Sequence, residues 1–463
     1  MPSTTEKKDK LYRLLIEALR NLDPAEAIDE SDPRYVNCAQ VRGEEGIVVT
    51  KIHQAILRAS EAGSKPRTIL FSGHNGSGKS TELKSLEKEL TQRKLFTVKI
   101  DAQEALDLED PYYIDILFSI ASEIERRMRE NGMPLPQPLM DSIKNWFKEI
   151  EIEKTTDADV SADIEAGVEA GAKIPLLGKL FTRAKGKLKY SSTERKTIRQ
   201  KIEPACSQLM GFINAMVAEG EKILKEKGYL GMVIIYDNLE KMKLAYPGNS
   251  ETGDGRSTHE TIFIDNSHHL AGILCHKIYT VPLSLLYSIH HARLGQLYDL
   301  PYVLPMIKVS QTRSRKRDEK GIAVLVQVAG KRLDKDRIFG NDDLIQEIAS
   351  FSGGNVRDFI RILRSLVEQV QPEDLPLQKK DIEFTFRRIT REYETAPSDE
   401  EFELLARVYE SFAISNDRAH FRLLNNHFIL AYDNGATWYD VHPALQRVAK
   451  FKAVLENITS QGK

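Results

Sequence analysis

The chain of 463 residues is 41% hydrophobic and 29% charged, with a net charge of −2. It is long enough for about three domains, and its balanced charge excludes a general pull towards nucleic acid or anionic membrane, leaving only local patches for either. Three scattered cysteines (Cys38, Cys206, Cys275), a charged N-terminus and the lack of a bilayer-length apolar run exclude a disulfide framework and a secretory signal, and predict a cytoplasmic protein without stable membrane insertion.

Leu11, Leu14, Leu15 and Leu19 recur at helical spacing within residues 8–21, and a Pro- and Asp-containing connector follows from Asp23 to Pro33. Gly46 to Ala62 reads as an amphipathic helix. The stretch RTILFSGHNGSGKSTE, Arg67 to Glu82, then joins an apolar strand to Gly73-x-x-x-x-Gly78-Lys79-Ser80 and a helix start. That context is what a phosphate-binding loop requires. The helix runs to about Lys94, and a second strand, Leu95 to Ile100, ends at Asp101. Asp110 and Pro111 open a helix over Tyr112 to Arg129.

Residues 131–228 predict a helical insertion, with a helix near Leu139–Ile152, a low-complexity mobile tip, and a return helix over Thr193–Lys227. In the tip, Ile174–Phe181 with Lys179, Arg183, Lys185 and Lys187 reads as a membrane- or partner-contacting amphipath or, more simply, as a flexible or packed hairpin. GMVIIYD, residues 231–237, is apolar enough for a strand buried on both faces. A turn-rich loop, Pro247–Ser257, precedes a helical Thr258–Leu274, and His276–Val281 and Tyr302–Val309 are further strands. Strands alternating with helices predict a parallel sheet. Asn341–Val370 and Lys380–Arg391 read as helices. Residues 400–451 give helix, short helix near His420–Asn425, and a hairpin around Asp433-Asn434-Gly435, the order of elements in a winged helix.

Consecutive amides over Gly73, His74, Asn75, Gly76, Ser77, Gly78, Lys79, Ser80 and Thr81 can cradle a polyphosphate at a helix N-terminus. Lys79 would pair with the β- and γ-phosphates, while Ser80 and Asp237 would hold Mg²⁺. ATP and Mg²⁺ are therefore the expected cofactors. Asn238 follows Asp237, so Glu240 is the nearest acid for activating water; its other reading is a surface pair with Lys241 or Lys243.

The Gly73 loop, the strand end Ile234–Glu240 and Ser352-Gly353-Gly354-Asn355-Val356-Arg357-Asp358 resemble the AAA+/STAND branch of P-loop ATPases. The chain is similar to bacterial ATPases that share the SGG-x-x-R-D segment, many encoded beside phage-defence genes. The resemblance covers about residues 40–450 outside the insertion. It implies an α/β fold: a P-loop parallel sheet with the helical insertion, a helical lid and a C-terminal winged helix. The expected domains are 1–45, 46–334 (with insertion 131–228), 335–395 and 396–463. It implies that Arg357 senses the γ-phosphate, against an ion pair with Asp358 or Asp336, and that Thr280 touches the attacking water. In STAND switches a histidine after the wing contacts ADP phosphate; His442 holds that place, followed by Pro443 where the family has Asp.

Three readings stand for Arg313-Ser314-Arg315-Lys316-Arg317: a finger completing a neighbour's site, a nucleic-acid patch, or a solvated loop. The expectation is a slowly hydrolysing ATPase that switches conformation or assembly with ATP or ADP, as a homo-oligomer or with a partner effector protein, in phage defence. The alternative is a DNA-binding AAA+ ATPase of origin-recognition or transposition-regulator type, gripping duplex through the winged helix and that cluster. A third option is a nucleotide-binding scaffold without turnover.

Overall fold

The computed structural model describes residues 4–43, 47–150, 192–246, 255–288, 290–433 and 437–461. The low-complexity tip with its basic amphipath and the Asn434-Gly435 turn lie outside the described residues. The architecture is α/β, with a P-loop sheet, a helical lid and a C-terminal winged helix.

Five strands, β1 (Thr68–Ser72), β2 (Leu95–Asp101), β3 (Gly231–Asp237), β4 (His276–Val281) and β5 (Tyr302–Val303), form a parallel sheet in the order β2-β3-β4-β1-β5. Their apolar residues alternate between two layers, as period-two geometry demands. Ile69, Phe71, Val233, Ile235 and Ile278 face α2 (Val48–Glu61) and α3 (Lys79–Gln92). Leu70, Ile234, Tyr236 and Tyr279 face α4 (Tyr113–Glu130). α5 (Gln137–Glu149) and α7 (Cys206–Glu226), from the predicted insertion, share that second layer through Trp146, Ile213 and Met216.

Several predicted elements are shorter than their apolar runs. The return helix divides into α6 (Ser192–Ile202) and α7 around Pro204, and the helical Thr258–Leu274 is broken by a π-turn at Thr261–Asp265. The expected strand Tyr302–Val309 pairs only at Tyr302 and Val303, because Pro305 has no N–H for the ladder. The segment after it leaves the sheet and runs beneath the lid.

α1 (Thr4–Asn21), the lid helices α8 (Glu319–Gly330), α9 (Asp343–Phe351), α10 (Val356–Gln369) and α11 (Lys379–Glu394), and the C-terminal module share one core. α10 buries Phe359, Ile362, Leu363 and Leu366, a stripe at i, i+3, i+4 and i+7. Each such side chain contributes about 1.5–3 kcal/mol. The C-terminal module is α12 (Asp399–Ser411), α13 (Arg418–Asn425), an antiparallel hairpin of β6 (Ile429–Asp433) and β7 (Thr437–Val441), and α14 (Ala449–Gln461). That is winged-helix topology, as the residue pattern predicts.

Candidate functional site

β1 is buried throughout, and its C-terminal end delivers the chain to a loop whose last glycine, Gly78, caps α3 at φ 102°. Lys79 opens α3 and folds back over the loop. Its Nζ donates to the Gly73 carbonyl at 2.9 Å and the His74 carbonyl at 3.1 Å. The same ammonium pairs with Glu240 Oε1 at 2.9 Å, both side chains being at most 4% exposed. Glu240 thus pairs with neither Lys241 nor Lys243, which bond Gln103 and Glu109. Burial pushes the Glu240 carboxyl up, but the Lys79 ammonium, together with the Thr280 hydroxyl and the turn's own backbone, outweighs it and holds the group below the usual carboxylate range.

Asp237, at the end of β3, is buried and raised above the usual range by that burial and by Glu240; a hydrogen bond with Ser80 works against the rise. Hydroxyl and carboxylate therefore meet at the phosphate end of the loop, and this donor pair fits Mg²⁺, which takes only one or two protein oxygens and leaves the rest to phosphate and water. Among the described residues no group of three or more His, Cys, Asp or Glu is placed to hold a metal alone. Asn238 turns away in a left-handed conformation (φ 65°), its amide donating to Asp101 at 2.9 Å. The Thr280 hydroxyl is fully buried and accepts from the Leu239 N–H at 3.0 Å, so it seats the turn that carries Glu240.

The SGG segment docks on the loop. The Asn355 side chain caps α10 by accepting from the Asp358 N–H and also donates to the Asn75 carbonyl at 2.9 Å. The Arg357 N–H donates to the Gly76 carbonyl at 3.2 Å. A Cβ on Gly76 would stand 2.4 Å from Asn355 Oδ1, and one on Gly354 1.8 Å from the Ile307 carbonyl oxygen, so both approaches require glycine. The Arg357 guanidinium donates to the Pro24 carbonyl at 3.3 Å. Asp358 pairs with Arg361 at 3.6 Å instead.

These groups surround a cavity of about 260 Å³. Its lining includes Lys79, Ser80, Asp237, Glu240 and Arg357 together with Ile28 and Tyr35 from the N-terminal connector and Val328, Val356 and Ile360 from the lid. Charged and apolar groups around one cavity suit a nucleoside polyphosphate.

Sequence reasoning missed three contributors and a histidine at an adjoining cavity. The connector lines the cavity from far away in the chain. Arg42 is buried, donating to the Ser77 carbonyl at 2.6 Å and to Pro305. Asn355 was legible as a helix cap, from its Asn-x-x-Asp spacing. His427 lies in the left-handed region (φ 59°), 5.5 Å from His74 between ring centroids, and Lys79 and Arg357 add to the burial that lowers its pKa to about 4.

His74 itself is buried and neutral, held well below its ordinary pKa by burial, and its Nε2 accepts the Ala431 N–H of β6 at 2.8 Å. His442 does not line the nucleotide cavity: its ring stacks on Tyr393 and lies 4.0 Å from Asp358, with burial lowering its pKa to about 3. The basic run is divided. Arg315 pairs with Asp440 at 2.9 Å and covers the Tyr409 ring, whereas Arg313 and Lys316 are exposed. Arg315 is therefore neither a finger nor a solvated charge.

No helix among the described residues is long and apolar enough to cross a membrane. No protein-family model and no curated protein matches the chain. Among solved structures, the Aeropyrum pernix ORC2 protein in its ADPNP–ADP complexes is similar over 95% of this chain and 98% of its own, at 12% identity and a TM-score of 0.41. Cdc6p from Pyrobaculum aerophilum covers the same shares, 95% and 98%, at 11% identity and 0.41. The Aeropyrum pernix ORC1 protein in complex with DNA covers 90% and 92% at 11% identity and 0.36. At such low identity and overlap, function has to be read from this chain's own residues.

Proposed function

We propose that this chain is an AAA+-type ATPase that binds ATP·Mg²⁺, hydrolyses it slowly, and uses nucleotide state to dock or release its winged helix. The observation that supports this is that the phosphate-binding loop is hydrogen-bonded to both moving parts. Asn355 and the Arg357 N–H join it to the lid, and Ala431 joins it to the wing.

Loop amides and Lys79 bind the β- and γ-phosphates, and to do so Lys79 exchanges part of its pairing with Glu240 for phosphate. Glu240, relieved of that ammonium, can take a proton from water. Arg357 turns from the Pro24 carbonyl to the terminal phosphate and carries α10 with it. Mg²⁺, when bound at Ser80 and Asp237, supplies charge neutralisation across the phosphates. On the winged-helix side, His427 lies beside His74 of the loop, and His442 holds wing to lid. A STAND-like switch in phage defence, with an effector or a second copy as partner, rests on the sequence resemblance.

Calorimetric titration tests the reading. Wild type should bind ATP and ADP with Mg²⁺, and Lys79→Ala should weaken ATP by at least about 100-fold, the scale of about 2.7 kcal/mol. Wild type that takes up no nucleotide at millimolar ATP overturns it.

The winged-helix topology itself favours a second reading, a DNA-binding ATPase of origin-recognition or transposition-regulator type. α13, the helix that would enter a major groove, is mostly packed away: Arg418 donates to the Gly255 carbonyl and Arg422 pairs with Glu401. Duplex binding would need the winged helix undocked. Salt-dependent DNA binding with ATP but not with ADP, lost on neutralising Arg313 and Lys316, would select this reading.

A further inference from the structure

A second cavity, of about 360 Å³, adjoins the nucleotide cavity, and Asn75, Glu240 and Lys241 line both. Its remaining walls come from Gly73 and His74, from Met242 and Leu244 after Glu240, from Pro282 and Leu283 after β4, and from residues 424–427 of the winged helix. Two oxygen acceptors on the shared wall have no hydrogen-bond partner in the protein: Glu240 Oε2 and Asn75 Oδ1. Glu240 is 9% exposed, and its other oxygen is taken by Lys79. A buried carboxylate oxygen without a donor is costly. A polar cavity of this size has room for water that supplies one. Both atoms accept, so a single group that met both would have to donate twice, which water does and an anion does not.

We propose that Asn75 is a positioning residue for ATP hydrolysis, holding the attacking water together with Glu240 at the wall between the two cavities. The inference rests on the ATP reading above. One O–H of the water donates to Asn75 Oδ1 and the other to Glu240 Oε2. As the water oxygen bonds to the γ-phosphorus, its proton passes to Glu240. The bond from the γ-phosphorus to the bridging oxygen breaks, and ADP leaves with that electron pair.

The charged and titratable groups facing Glu240 are Lys79 from the loop, Asp237 and Lys241 from its own turn, and His259 from the short helix Thr258–Glu260. Steady-state hydrolysis is measured for wild type, Asn75→Ala and Asn75→Asp, with ATP and ADP affinities determined separately by calorimetry. Asn75→Ala should lower kcat by about 10- to 100-fold while both affinities stay within about threefold, since the side chain acts on water and the backbone on phosphate. Asn75→Asp keeps an acceptor, so it should recover most of that loss at high pH. Its added carboxylate should move the acid limb of the pH–rate profile up by about one unit. A kcat for Asn75→Ala within about twofold of wild type overturns the inference, as does loss of affinity in step with kcat, or an unmoved acid limb in Asn75→Asp. Wild type that binds ATP without hydrolysing it overturns the inference and leaves nucleotide binding standing; wild type that binds no nucleotide overturns the ATP reading itself.

Discussion

Two of the winged helix's attachments to the rest of the molecule differ in kind. Away from the phosphate-binding loop, Arg315 grips Asp440, bonds the Tyr409 carbonyl and stacks between Tyr409 and Phe412. Beside the loop, the attachments are neutral: Ala431 to His74 at 2.8 Å, the Tyr432 hydroxyl to the Gly353 carbonyl at 2.7 Å, and His442 stacked on Tyr393. A charged, aromatic-covered grip holds whatever the loop contains. Neutral bonds to the loop and the lid depend on where those two segments sit. On the ATP reading proposed above, the difference would make Arg315 a pivot and His74 a release point.

Acid should separate the two most strongly. An undocked histidine titrates near 6.5, whereas His74 is held well below that and His442 near 3, both by burial. The docked state therefore binds fewer protons. Its stability is complete above pH about 6.5 and is lost as pH falls from there, at about 1.4 kcal/mol per unit for each histidine. Two units of acidification should cost about 2–3 kcal/mol of docking through His442 alone, with His74 and His427 adding in the same direction, visible as amide exchange rising in β6 while the sheet stays protected. Exchange in β6 that ignores pH would remove the release point.

Asp440→Ala tests the pivot. Stranding Arg315 should cost about 2–3 kcal/mol, below the figure for a fully buried pair because Arg315 is 24% exposed. The melting temperature should fall equally with ATP and with ADP, and a nucleotide-dependent loss would merge the two fastenings into one. The smallest effect belongs to Tyr432→Phe, which removes one neutral hydrogen bond worth about 1 kcal/mol. Hydrogen exchange should show it in β6 alone, with nucleotide affinity unchanged.

What the sequence made legible follows from how far each constraint reaches. The loop Gly73–Ser80 and the acid Asp237 sit in contiguous motifs whose strand and helix context is local, and their convergence on one cavity was readable. Arg357 was readable because Gly353 and Gly354 announce a tight turn. Arg42 and the Pro24–Ile28 connector carry no local pattern, since each reaches the cavity only through long-range packing. The Tyr302–Val309 run was over-read because apolarity outweighed the missing N–H of Pro305. The two wing-side histidines differ in placement: His442 stacks on Tyr393 away from the loop, while His427 lies beside His74 at the adjoining cavity.

Pro305 has an effect beyond shortening β5. By peeling the chain off the sheet it leaves the carbonyls of Ile307 and Lys308 facing upward, and each is covered at van der Waals range by a glycine of the lid, Gly354 and Gly321, whose added Cβ would stand 1.8 and 1.7 Å away. The seam between sheet and lid is thus drawn in main chain. Surface side chains around it can drift through generations of substitution without touching the hinge, while a single methyl at either glycine would jam it.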